Sequence, residues 1–269
     1  MLWRGAIILI TISLLANGVA ADVRFAGESL SPGQTMSALV PLSRQEKAYA
    51  SDATNSVPDT AVAVIATPRG FDPRKTWPVL VVFSTSNFDR LNRDDLVQFY
   101  RNAALSDGWL VIAGDGRGPA PNDTNGWRAA MTLAALDALH KSFPGSAQWP
   151  VALAGFSGGA KRASLLAPVL YLKGCRLCGM YLTGMNQDVL SVSYRKSRLG
   201  PMFLTVPIFI SSGTNDPIAP VERAREVAGE IRHTGFKSVR FETFAGGHAV
   251  KNVHTIQALR WFRSQNLHR

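Results

Sequence analysis

Residues 151–163 read VALAGFSGGAKRA. A short apolar run ends in Gly155-Phe156-Ser157-Gly158-Gly159, and a stretch with helical character follows. A lone serine between glycines at the end of a buried strand has two readings. One is a strand-to-helix turn that needs small residues for close packing. The other is a nucleophile raised on a strained bend, with the free amides of the helix N-terminus aimed at developing negative charge. The G-x-S-x-G spacing alone does not choose between them, so the flanking segments must.

Working outward, PVLVVFS (78–84), WLVIAGD (109–115), PVALAGF (150–156), LCGMYLTG (177–184) and VPIFISSG (206–213) are short and mostly apolar, and the first is dense in β-branched residues. Runs of that kind read as strands buried on both faces. TAVAVIATP (60–68) and SVRFETF (238–244) add two more, and TMSALVPL (35–42) suits an early strand. Between them lie helical patterns. Leu96, Phe99, Tyr100, Ala103 and Ala104 recur at helical spacing. GWRAAMTLAALDALHKSF (126–143), the stretch from Gly158 to about Tyr171, APVERAREVAGEIRHTG (219–235) and AVKNVHTIQALRWFRS (249–264) follow suit. Alternating strands and helices predict an α/β protein with a mostly parallel sheet covered on both faces. In such sheets ligand chemistry gathers at the carboxyl ends of the strands. Ser157 lies at one of those ends.

A serine hydroxyl needs a base. The histidines are His140, His233, His248, His254 and His268. His140 and His254 fall inside helical patterns, His233 at a helix end and His268 in the tail. His248 alone follows a strand directly, in FETFAGGHAV, on a Gly-Gly loop. The base in turn needs an acid to fix its tautomer. Asp216, in FISSGTNDPIAP, follows the strand before the histidine strand; an Asx-turn ahead of Pro217 is its structural alternative, and one carboxylate can serve both. Asp188, in TGMNQD, is the runner-up. The chain order becomes Ser157, Asp216, His248.

Strand-GFSGG-helix, then SSGTNDPIAP, then FAGGH, in that order, resemble the α/β-hydrolase superfamily over roughly residues 60–265. The segment TPRGFDPRKTWPVLVVF (67–83) is similar to the lead into the central sheet of secreted esterases of the polyhydroxybutyrate-depolymerase and feruloyl-esterase kind, and of prolyl-oligopeptidase-like hydrolases. The resemblance implies the α/β-hydrolase fold with a minimal lid, a Ser157–Asp216–His248 triad, and an acyl-serine route to ester hydrolysis without a metal or organic cofactor. It also implies an oxyanion hole from the Gly158 N–H and an N–H of the loop after strand 78–84. Members often carry His-Gly in that loop; here it reads Ser84-Thr85-Ser86-Asn87, and the donor falls to Thr85 or Ser86. In GDGRGPAPNDTNGW (114–127), Asp115, Arg117 and Trp127 are candidate substrate contacts, with a solvated turn-rich loop as the alternative. The insert 186–205 is the only one long enough for a lid.

The remaining features bound the class. The chain has 269 residues, 46% apolar and 18% charged, which suits one folded domain over 22–269, its first part to residue 58 less regular. Residues 1–21 carry an early Arg4, an apolar run and Val19-Ala20-Ala21, the layout of a secretory signal peptide cleaved after Ala20 or Ala21, with an uncleaved membrane anchor as the alternative. A periplasmic or secreted protein with no membrane span after cleavage is expected. The net charge of +10 is spread without a Lys/Arg run or a known module, which argues against nucleic acid as a partner. The expected partner is a small-molecule or polymeric ester. Cys175 and Cys178 form a C-x-x-C that follows a helix, the wrong context for a thioredoxin-like site; a short disulfide is the first reading and free buried thiols the second. A peptidase on the same triad, an acyltransferase and a non-catalytic binding protein on a hydrolase scaffold stand as alternatives to the esterase.

Overall fold

The computed structural model describes residues 23–50, 57–85, 91–116 and 124–266. The expected signal segment, Ser86, Arg117 and His268 therefore lie outside the described residues. The chain begins with a two-stranded antiparallel pair, β1 (Arg24–Phe25) and β2 (Glu28–Ser29), then β3 (Thr35–Pro41), α1 (Arg44–Ala50), β4 (Thr60–Ala66) and β5 (Val79–Phe83). Next come α2 (Asn92–Asp95), a π-helical turn (Leu96–Tyr100) and α3 (Arg101–Ser106), followed by β6 (Leu110–Asp115), α4 (Asn125–Ser142) and β7 (Val151–Phe156). The second half is α5 (Gly158–Leu172), β8 (Leu177–Thr183), α6 (Val189–Ser197), β9 (Ile208–Gly213), α7 (Val221–His233), β10 (Val239–Phe244) and α8 (Asn252–Asn266).

Eight strands form one sheet in the order β10-β9-β8-β7-β5-β6-β4-β3. β3 and β4 are antiparallel to their neighbours; all other pairs are parallel. The unbroken apolar runs now have their physical reason. In β5, Val79, Val81 and Phe83 enter the core on one face, and Leu80 and Val82 enter the core on the other. β6 and β7 alternate in the same way, so no position faces water. The first face is covered by α4, α5, α6 and α7, through residues such as Trp127, Leu166, Leu190 and Ile231. The second is covered by Leu96 and Tyr100 of the π turn, Ala104 of α3, and Ala258, Leu259 and Phe262 of α8.

From β5 the chain moves to β6 on one side, then crosses back to β7 on the other. That reversal puts a topological switch point at the carboxyl ends of β5 and β7, where ligands bind in sheets of this kind. Ser157 follows β7 at that point.

Four details differ from the sequence reading. The segment before residue 58 contributes β3 as expected, but also β1, β2 and α1, whose short spans carry too few periodic residues to be recognised. The single helix expected over residues 93–108 is interrupted by the π turn, which inserts an extra residue into the hydrogen-bond ladder. The insert 186–205 folds down as α6 and a 3-10 turn (Pro201–Thr205), with Leu190 and Phe203 fully buried and Phe203 packed against Tyr171, Tyr194 and Phe236. It is part of the helical layer.

The fourth is a correction: Cys175 and Cys178 are free thiols, and the short disulfide is not formed. Cys175 packs against the core on one face of the sheet, and Cys178 points into the core on the other. The sheet itself separates them. Burial pushes the Cys175 thiol up to about 11 and the Cys178 thiol up to about 12, so both stay protonated and unreactive near neutral pH.

Candidate active site

Ser157 sits between the last residue of β7 and the first of α5, with φ 56° and ψ −118°. That left-handed backbone is rare for a residue with a side chain, and it is held by its surroundings. The Ser157 N–H donates to Thr183 O on β8 at 2.8 Å, while its carbonyl accepts from Ala160 N and Lys161 N. The flanking glycines let strand and helix close on each other. A Cβ on Gly155 would lie 2.2 Å from the Gly159 carbonyl group, a separation no side chain tolerates. The chain adopts the strained bend, and the same glycines give the close packing of a strand-to-helix turn.

Asp216 lies in the loop after β9, with its side chain 1% exposed. Its Oδ1 accepts from Ile218 N at 2.9 Å and Ala219 N at 2.8 Å, and its Oδ2 meets His248 Nδ1 at 2.7 Å. It is thus a turn cap and a histidine partner at once. Burial pushes the carboxyl up, but the Ala219 N–H, His248 and the Ile218 N–H together outweigh it and hold the group below its usual value. The two loops that carry the pair are tied by backbone bonds, Thr214 N to Phe244 O and Asn215 N to Gly246 O, both 2.9 Å.

His248 is brought to Ser157 by the β7 and β8 ends. The Phe156 ring, next to Ser157, lies 4.4 Å from the imidazole between centroids. Gly184 follows Thr183, the residue that receives the Ser157 N–H; a Cβ there would stand 2.8 Å from His248 Cε1. Among the described residues no hydrogen bond links Ser157 to His248; Phe156 and Gly184 are what join them. Because Nδ1 is engaged by Asp216, Nε2 is the nitrogen left to face a substrate proton.

The other histidines are elsewhere. His254 is buried in α8 with Nδ1 on Ser211 Oγ at 2.8 Å, and burial lowers its pKa. His140 belongs to α4 and His233 ends α7. The alternative acid, Asp188, caps α6 by accepting from Ser191 N.

Two expected pocket residues need correction. Trp127 is 1% exposed and donates from Nε1 to Gly116 O at 3.4 Å; its indole is core. Asp115 is also 1% exposed and accepts from Asn92 N. Burial raises its pKa against the Gly116 N–H, Arg128, Arg93 and the Asn92 N–H. Neither side chain is open to a substrate. Thr85, by contrast, lies at the head of α5: a Cβ on Gly158 would strike Thr85 Oγ1 at 2.1 Å.

Sequence reading missed a buried polar cluster beneath this loop. Asn92 Oδ1 accepts from Ser84 N at 2.8 Å and from Arg128 Nη1 at 2.8 Å, and Asn92 Nδ2 donates to Gly114 O at 2.7 Å. Arg162 Nη1 reaches Ser84 O at 3.3 Å and Thr85 O at 3.5 Å. The available signal was the placement of Arg128 and Arg162 in otherwise apolar helical stretches, since a buried guanidinium implies a purpose-built set of acceptors.

No protein-family model and no curated protein sequence matches the chain. Solved structures do. The esterase Pf2001 of Pyrococcus furiosus aligns over 87% of this chain and 91% of its own, at 15% identity and TM-score 0.53. A ferulic acid esterase aligns over 86% and 99%, at 18% identity and TM-score 0.55. A bacterial heroin esterase aligns over 86% and 84%, at 15% identity and TM-score 0.59. At these identities the likeness establishes the fold, which is the α/β-hydrolase fold.

Proposed function

We propose that this α/β-hydrolase fold carries a serine hydrolase that cleaves carboxylic esters through an acyl-Ser157 intermediate. One observation carries the reading: a serine held in left-handed backbone at the head of α5, beside a histidine whose far nitrogen is bonded to a buried carboxylate. His248 Nε2 takes the Ser157 proton as Oγ attacks the ester carbonyl. Asp216 keeps the Nδ1 proton in place and balances the imidazolium that forms. The oxyanion is met by the Gly158 N–H and the Thr85 N–H. His248 passes its proton to the departing alcohol, then activates a water that splits the acyl-enzyme into acid and free serine. The scheme calls on no metal or cofactor.

The esterase names of the structural neighbours support an ester as substrate. The signal-peptide layout of residues 1–21 supports export. No helix among the described residues is long and apolar enough to cross a membrane.

The test compares the mature protein with Ser157→Ala on a short-chain p-nitrophenyl ester. Turnover that falls by on the order of 10⁶ in the variant is expected, as for loss of a triad serine. Equal turnover in both, or none in either while a peptide amide is cleaved, overturns the ester reading. Transfer of the acyl group to an added alcohol in preference to water would make the protein an acyltransferase.

A further inference from the structure

We infer that Arg162 is a positioning residue for the oxyanion hole, fixing the Ser84–Thr85 peptide so that the Thr85 N–H is presented to the reacting carbonyl. The inference rests on the esterase reading and assigns the part that replaces the absent His-Gly.

Gly158 and Arg162 are four residues apart on α5 and so share one helix face. That face meets the loop after β5. Gly158 is so close to Thr85 that it has no room for a Cβ, and Arg162 lies one turn further along. The Arg162 side chain is 2% exposed. Its Nη1 donates to two successive carbonyls, Ser84 O and Thr85 O, and its Nε to Asn125 Oδ1 at 3.5 Å. In a trans peptide the C=O and the following N–H point in opposite directions. Holding Ser84 O toward the guanidinium therefore turns the Thr85 N–H away from it. Among the described residues nothing accepts a hydrogen bond from that N–H.

The peptide is gripped from its other end as well. Ser84 N donates to Asn92 Oδ1, and Ser84 Oγ lies 2.9 Å from the same oxygen and 3.3 Å from Arg128 Nη1. Ser84 is fully buried, so this grip is not diluted by water. A His-Gly loop would reach its geometry through glycine. This loop has none, and side chains from α2, α4 and α5 hold it instead. A guanidinium stays charged at any working pH, so the clamp also polarises the peptide whose N–H must stabilise an anion.

The experiment measures kcat and KM on a p-nitrophenyl ester for wild type, Ser157→Ala, Arg162→Lys and Arg162→Met, with inhibition by an aryl trifluoromethyl ketone. Such a ketone adds to the serine and places an oxyanion in the hole. Arg162→Met should lower kcat by about 10²-fold with KM little changed, and Arg162→Lys by less, because one ammonium retains a carbonyl contact. Ketone affinity should fall by the same factor as kcat/KM. A purely structural role would lower the melting temperature and the active fraction while leaving the ketone affinity of the folded enzyme unchanged, and that result would overturn the inference. So would wild-type kcat in folded Arg162→Lys and Arg162→Met. If Arg162→Met does not fold, Arg162→Lys carries the comparison alone, with loss of ketone affinity expected and wild-type affinity refuting. A wild type without Ser157-dependent turnover or ketone binding would instead defeat the esterase reading, and this inference with it.

Discussion

The two flanks of Ser157 are built by different means. On one side, Asp216 and His248 sit in the loops after β9 and β10. Their geometry is set by nearby backbone: two amides within three residues of Asp216, and two loop-to-loop amide bonds. On the other side, the Ser84–Thr85 peptide is held by side chains of Asn92, Arg128 and Arg162, which come from three separate helices and are almost wholly buried. The first flank is local and partly open to solvent. The second is assembled across the fold and dry. Backbone caps tolerate change in their neighbours, whereas a buried polar cluster is costly when one member is removed and its partners lose their bonds.

If that contrast holds, substitutions on the two flanks should separate activity from stability. The largest effect is expected from Asp216→Asn. Loss of the carboxylate disturbs the His248 tautomer, and kcat should drop by on the order of 10⁴. Steady-state rates check this. Its stability effect should be modest and confined to pH values above about 4. The Asp216 carboxyl is held below its ordinary value of 3.8, so the unfolded chain binds its proton first as pH falls. The stabilisation is therefore present above about pH 4 and lost below it, and urea midpoints of Asp216→Asn should fall less steeply on acidification than those of wild type. A variant that unfolds at pH 7 would erase the distinction between the flanks.

Asn92→Leu should show the reverse pattern. Ser84 N–H, Gly114 O and Arg128 would each lose a buried partner, and unfolding free energy at neutral pH should fall by roughly 2–4 kcal/mol. Urea titration beside Asp216→Asn places the two on one scale. Similar losses for both would show that the Ser84–Thr85 flank is no more interdependent than the Asp216–His248 flank. The smallest effect is expected from dithiothreitol: with Cys175 and Cys178 on opposite faces of the sheet, reduction should leave Tm where it is. A clear drop in Tm would mean that the thiols meet after all.

The same contrast explains which parts were legible in the sequence. Strands buried on both faces announce themselves, because every residue of β5, β6 and β7 has a core to enter. The serine bend is written in adjacent residues, and so is the carboxylate that caps its own loop. His248 stood out because its flanking glycines follow a strand. α1 was too short to show a period, and the π turn has no composition of its own. Asp115 was misplaced because residues at the end of a strand point alternately into the core and out of it, and Trp127 because it belongs to the first turn of α4, on the face that enters the core. A loop assignment does not say which.

The sequence by itself determined the alternating α/β order and the doubly buried sheet, placed Ser157 at the end of β7, and singled out Asp216 as the carboxylate that meets His248. Each of these rests on periodicity or on residues a few places apart. Tertiary structure alone decided that two cysteines three residues apart face different cores, that the 186–205 insert lies down as part of a helical layer, and that Arg162 reaches back 78 residues to Ser84. Those outcomes depend on which faces meet across the sheet, and the contacts that fix them join segments whose separation along the chain carries no local signal.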